Sequence, residues 1–249
     1  MIQIEDISLK DIEKIICSTK TFFNSPVSSI EQKNDTSYVT ECDKNIESFL
    51  IEKLTVLFPS IPFLSEETNA DTNIEKGFAW CIDPIDGTHN FIQGIPFFCV
   101  SVGLLYNGES VLGCVYDPMR NELFSAKKGE GFFFQGEVYD NNIKYQKEYY
   151  MFSTARAQNR YMDENEVCRK LQTSKKQYKY RRFCSCALEL AYVAIGRLDA
   201  LFILGNSHWD YAAAECILKE AGGIKETLSD SDYLCTYNQS IKDDIIKLL

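Results

Sequence analysis

Asp83-Pro84-Ile85-Asp86-Gly87-Thr88 carries the pattern around which the rest of the chain can be organised. It follows Gly77-Phe78-Ala79-Trp80-Cys81-Ile82, a short apolar run with strand character. Pro84 fixes the backbone just after the first carboxylate. Asp83 and Asp86 are three residues apart, so one turn can aim both at a common point, and the Ile85 carbonyl can point the same way. An all-oxygen set of this kind suits a hard cation such as magnesium. Gly87 lets the backbone approach a ligand closely. A helix beginning near Thr88 would offer free N–H groups to a phosphate. The same residues also fit a plain turn with Asp86 as a helix cap, and spacing alone does not choose between the two.

Further acids lie on both sides. Ser65-Glu66-Glu67-Thr68 places two adjacent carboxylates after the apolar Phe63-Leu64, either on a solvated face or beside a cation. Asp210, after Trp209 and before Tyr211-Ala212-Ala213-Ala214, reads as a first-turn acid of a helix or as another ligand. Only His89 and His208 are available for histidine chemistry, and no GxxxxGK[ST] stretch is present.

The chain has 249 residues, 45% of them hydrophobic and 25% charged, an ordinary globular balance that can bury a core. Its formal net charge of −10 argues against nucleic acid as a main partner, because phosphate backbones are held by clustered Lys and Arg. It leaves room for a small phosphorylated substrate held through cations. None of the ten cysteines forms a CxxC pair, so they read as small buried hydrophobes in a reducing compartment. The N-terminus lacks a signal-peptide pattern and no apolar run reaches the length of a membrane span. The expected location is cytoplasmic, with no membrane partner.

Periodicity predicts helices over 2–25 and 43–57, separated by a polar loop at Glu31–Ser37. Strands are expected over 77–82, 97–106, 110–116, 122–126 and 131–134, with an Asn107-Gly108 hairpin turn. A polar stretch near 141–148 suggests a boundary between an N-terminal α+β domain, 1–145, and a C-terminal α/β domain, 146–249. In the second, helices are expected over 163–170, 187–195 and 209–221, the last ended by Gly222-Gly223, with a strand over 200–204. Neither an internal repeat nor a low-complexity segment is found.

Four segments in order make the chain resemble the inositol monophosphatase family of magnesium-dependent, lithium-sensitive phosphatases. They are Lys33 through Val39-Thr40-Glu41-Cys42-Asp43, then Ser65-Glu66-Glu67, then Asp83 through Thr88-His89-Asn90-Phe91, and Trp209-Asp210 with Glu220-Ala221-Gly222-Gly223. The resemblance implies an α+β fold, a layered αβαβα sandwich shared with fructose-1,6-bisphosphatase, with the site between the two halves. It implies Mg2+, two or three per site, held by Glu66, Asp83, the Ile85 carbonyl, Asp86 and Asp210. Asp83 would bridge two ions, with Glu66 and Ile85 on one and Asp86 and Asp210 on the other. A weaker third ion, mostly water-coordinated, would lie beside Glu66. Gly87 and Thr88 would give N–H groups to the phosphate, and Asp210 and Cys186 would also face substrate.

The expected chemistry is in-line attack of a metal-activated water on a phosphate monoester. Glu66 and Thr88 would orient the water, with Thr88 passing a proton toward Asp43. Lys33, in the loop, is either a metal-loop residue or one more surface lysine.

Two departures from the family pattern concern substrate. Cys184 stands where a Gly-Ser-Ala turn has its glycine, and Cys186 replaces the first alanine, where it could also serve only helix-start packing. Ile203 stands where inositol-selective members place a glutamate, which predicts weak selectivity for inositol phosphate. The first expectation is a small phosphorylated sugar or inositol, followed by fructose 1,6-bisphosphate and then 3′-phosphoadenosine 5′-phosphate. A reading of another class is a non-catalytic metal-binding regulatory protein. The resemblance also implies a homodimer, and Phe132-Phe133-Phe134 fits either a sheet core or a dimer face.

Overall fold

The computed structural model describes residues 3–24, 27–34, 37–139, 147–156 and 164–249. The helices are α1 (Leu9–Ser18), α2 (Glu41–Leu57), α3 (Thr88–Ile92), α4 (Glu164–Leu171), α5 (Cys186–Ala194), α6 (His208–Glu220) and α7 (Gln239–Leu248). The strands are β1 (Ile30–Asn34), β2 (Ser37–Thr40), β3 (Phe63–Ser65), β4 (Phe78–Asp86), β5 (Cys99–Tyr106), β6 (Glu109–Asp117) and β7 (Glu122–Lys127). They continue with β8 (Gly131–Phe134), β9 (Glu137–Val138), β10 (Tyr150–Arg156), β11 (Tyr178–Arg181), β12 (Ala200–Leu204), β13 (Ile224–Thr227) and β14 (Asp232–Thr236).

Alternation along the strands creates five layers. β3 to β9 form one sheet in chain order, antiparallel after the parallel β3–β4 pair. On one face Trp80, Ile82, Val100, Val102 and Leu104 pack against Ile12 and Ile16 of α1 and Ile46, Leu50 and Leu54 of α2. The opposite face, with Cys99, Val115, Phe124 and Phe132, buries α5 and α6. Those helices also cover Leu201, Ile203 and Cys235 of the second sheet, ordered β11-β10-β12-β14-β13. Beyond that sheet Phe202 and Leu234 meet Val167 of α4 and Ile241 and Ile245 of α7. The expected αβαβα sandwich is therefore present. Its largest core is shared between the two halves of the chain, and residues 140–146 of the expected boundary lie outside the described residues.

Several local expectations change. The first predicted helix is three pieces, 3-10 turns at Ile4–Asp6 and Thr19–Asn24 flanking α1, because Ile7 and Ser8 are extended. The predicted polar loop instead contributes β1 and β2, an antiparallel pair whose backbone bonds need no apolar pattern. Lys33 is thus a strand residue rather than a loop residue. Phe132 is buried, while Phe133 and Phe134 pack partly buried against opposite cores, which puts the aromatic run in the sheet core. Among the described residues no helix is long and apolar enough to cross a membrane.

One close approach positions α6. Gly103 and Gly113 are register partners, and a Cβ on Gly113 would lie 1.9 Å from the Ala213 carbonyl oxygen. Only glycine lets the helix seat here, and that seating carries Asp210 toward the end of β4.

Candidate functional site

The Asp-Pro-Ile-Asp segment is the end of β4 itself rather than a loop after it. Asp83 pairs with Ser101 but Asp86 with Cys99, so three steps on β4 oppose two on β5. This bulge re-aims the strand end. Gly87 then takes φ 99° as the N-cap of α3. A Cβ there would meet Cys184 O, Phe98 Cβ and Ser185 Cβ, each at 3.2 Å.

The two aspartates have opposite surroundings. Asp83 is buried and its Oδ1 has no hydrogen-bond partner. Burial, followed by the charges of Glu66, Asp86, Asp210 and Asp43, pushes its carboxyl well above the usual range. Asp86 is saturated: it accepts from Ser185 Oγ at 2.6 Å, Ala187 N–H at 2.7 Å, Cys186 N–H at 3.0 Å and Cys99 Sγ at 3.6 Å. Burial raises its carboxyl, and these donors oppose the rise. Three of them, from Ser185, Cys186 and Ala187, belong to the N-terminus of α5, where an anion is favoured by the helix dipole, and the fourth comes from β5.

Asp210, at the third position of α6, accepts from the Ser207 N–H at 2.9 Å. Burial, with Asp86 and Glu66 nearby, pushes its carboxyl up to about 8. Glu66 follows β3, and its N–H donates to Ile82 O at 3.3 Å, fixing it beside β4. Lys33 Nζ reaches across from β1 to Glu66 at 2.9 Å and Glu67 at 2.6 Å. Burial pushes Glu67 up to about 7. Thr88 Oγ1 lies 2.9 Å from Ile85 O and 3.3 Å from Asp43 Oδ1. Asp43, in a capping box with Thr40, is pushed up to about 6 by burial.

These acids share one electrostatic neighbourhood, yet no group of three or more His, Cys, Asp or Glu among the described residues is arranged to hold an ion as it stands. The Lys33 ammonium engages Glu66, and the N-terminus of α5 engages Asp86. The donor set nevertheless fits a hard cation. It is all oxygen, and the buried Asp83 Oδ1 lacks any partner.

The substrate-side departures take definite form. Cys184 adopts the left-handed backbone, φ 61°, that a glycine would take freely. Its side chain is exposed, whereas that of Cys186 is buried in the core and its N–H is held by Asp86. Ile203 is fully buried in the layer shared with Leu201, Tyr211 and Cys235. Sequence reasoning missed Ser185 and Cys99 as partners of Asp86, and Glu47, which accepts from Glu67 N–H at 3.0 Å. Ser185 carried a readable signal, since serine before an apolar helical run is a favoured N-cap.

Comparison with known proteins gives the class. The inositol monophosphatase family profile matches residues 5–242. Inositol monophosphatase 2 of Saccharomyces cerevisiae is 37% identical over 210 residues, covering 78% of this chain and 70% of that protein. The Nus factor SuhB of Escherichia coli K12 is 34% identical over 231 residues, covering 86% and 79%. An IMPase/NADP phosphatase solved with Mg2+ and phosphate superposes with TM-score 0.80 at 26% identity, covering 97% of this chain and 95% of that one. The chain belongs to the inositol monophosphatase family. Membership supports a magnesium-dependent phosphatase.

Proposed function

We propose that the protein hydrolyses a phosphate monoester of a small sugar or inositol, using magnesium held by Glu66, Asp83, the Ile85 carbonyl, Asp86 and Asp210. The observation that carries this reading is the buried, unpartnered Asp83 Oδ1 among Glu66, Asp86 and Asp210. An uncompensated buried carboxylate is expensive, and a cation relieves it. When bound, magnesium acidifies a water and offsets charge on the phosphate.

The chain's own groups do the rest. Gly87 and Thr88 offer N–H groups to the phosphate. Thr88 Oγ1 can take a proton from the water while passing its own to Asp43, whose raised carboxyl makes it a better base than an ordinary aspartate. Glu66 must leave Lys33 to help orient that water. Asp210 would line the substrate side, whereas Cys186, with its side chain in the core and its N–H on Asp86, serves helix-start packing. The buried apolar Ile203 offers no acceptor for sugar hydroxyls, which supports broad rather than inositol-restricted selectivity.

The relative named Nus factor favours a second reading, an interaction protein that does little catalysis. One assay separates the two: phosphate release from inositol 1-phosphate, fructose 1,6-bisphosphate and 3′-phosphoadenosine 5′-phosphate, with and without Mg2+. Magnesium-dependent release that is abolished in Asp83→Asn is expected. Wild-type turnover in that variant would sink the metal assignment, and no turnover on any ester would favour the interaction reading.

A further inference from the structure

Glu189, in the first half of α5, is wholly buried, and no step above uses it. Its Oε1 accepts the Phe183 N–H at 3.2 Å and is in short contact with Ser153 Oγ of β10. That hydroxyl also lies 2.8 Å from the Arg181 carbonyl. Ser153 has one proton and cannot donate in both directions. A proton on Glu189 satisfies both contacts, and burial pushes this carboxyl up to about 8.

The same peptide is gripped from the other side. Asn90 Nδ2, three residues past Gly87, donates to Phe183 O at 2.6 Å. The Phe183 ring stacks on Phe97 with centroids 4.6 Å apart. Both backbone polar groups of Phe183 are therefore held by side chains from opposite halves of the chain. The next residue, Cys184, has the left-handed backbone, and Ser185, Cys186 and Ala187 supply three of the donors to Asp86.

We infer that Glu189 is a positioning residue, which fixes the Phe183–Ser185 turn and through it the carboxylate of Asp86. Its consequence for metal and substrate rests on the phosphatase reading, whereas its hold on the turn does not. Losing the acceptor leaves the Phe183 N–H unpaired, and a misplaced Asp86 alters metal affinity without touching a ligand.

The test compares Glu189→Leu, Glu189→Gln and Glu189→Asp in the full chain. Cys184 is the one exposed thiol of the ten, so its alkylation rate, read by peptide mass spectrometry without added cation, reports the turn. Calorimetry with Mg2+, and kcat and KM on inositol 1-phosphate, report the site. Glu189→Leu should label Cys184 about tenfold faster and bind Mg2+ about tenfold more weakly, the size of one lost buried acceptor. Glu189→Gln keeps the acceptor for the Phe183 N–H but sets an amide NH2 where Oε2 is buried without a partner, so it should lie about threefold from wild type on both readouts, with Glu189→Asp between it and Glu189→Leu.

Wild-type behaviour of the Leu variant on both readouts, or equal damage in the Gln and Leu variants, overturns the assignment. If the Leu variant does not fold, the other pair decides: equal labelling of Cys184 in the Gln and Asp variants overturns it. If wild type takes up no Mg2+ and releases no phosphate, the phosphatase reading fails, while the labelling rates still judge Glu189.

Discussion

The end of β4 and the turn that leads into α5 meet at Asp86, and they are built on opposite terms. The first keeps its glycine: Gly87 has φ 99°, and a Cβ there would crowd three neighbours at 3.2 Å. The second has Cys184 in the left-handed region, where a side chain costs about 1–2 kcal/mol. One carries Asp83, buried and unpartnered; the other surrounds Asp86 with donors. The first is thus left electrostatically incomplete at Asp83 Oδ1, while the second is hydrogen-bonded but carries a left-handed cysteine. In the proposed function, reaction and selectivity would be set by separate segments that share one aspartate.

The largest break in that comparison should come from Gly87→Ala. Its Cβ would press on Cys184 O, Phe98 and Ser185 at once, in a backbone that alanine resists. Displacing the two segments should lower phosphate release by about tenfold to a hundredfold, measured as kcat/KM on inositol 1-phosphate.

A smaller effect is expected from pH. Glu189 has its carboxyl at about 8 in the fold, against an ordinary 4.5, with burial as the main cause. The folded state therefore holds a proton that the unfolded chain releases. The stability this gives is full below about pH 4.5 and is lost as pH rises toward 8. The loss between pH 5 and pH 8 is about 3 kcal/mol in order of magnitude. Urea unfolding at the two pH values should show a shallower decline in Glu189→Gln than in wild type. An identical decline would place the buried proton elsewhere.

The smallest effect should come from Cys184→Gly. Relief of the left-handed backbone is partly offset by the freedom glycine gains in the unfolded chain, leaving about 0.5–1 kcal/mol of stabilisation. A thermal melt reads this directly. Destabilisation would mean that the cysteine side chain, beside Arg182, contributes more than its backbone costs.

How far these regions were legible follows from where their information lies. The acids at 66, 83, 86 and 210 stand in short contiguous patterns, and the αβαβα layering followed from the family resemblance those patterns carry. The helices α2, α5 and α6 were readable within two residues because their apolar spacing is helical. β1 was not, because Ile30-Glu31-Gln32-Lys33-Asn34 is mostly polar and is held by backbone pairing with β2. The pairing of Lys33 with Glu66 and Glu67 depends on that hairpin, so it too was hidden. Three partners of Asp86, at Ser185, Cys186 and Ala187, lie about a hundred residues away in sequence, and although Ser185 reads as a helix cap, nothing local ties it to Asp86. Glu189 sits on a helix that is buried almost all round, where its neighbours gave the signal of plain core. α7 was readable and was passed over: Ile241 and Ile245 are one turn apart.

The proposed function stands or falls with a cation held by the acids around Asp83. Anomalous diffraction from crystals soaked in Mn2+, which takes the same oxygen ligands as magnesium, tests it most directly. A peak is expected at about 2.0–2.2 Å from Asp83 Oδ1, with Glu66 drawn away from Lys33 toward the ion. A structure with Mn2+ bound elsewhere, Asp83 Oδ1 bare and Lys33 still on Glu66 would contradict it.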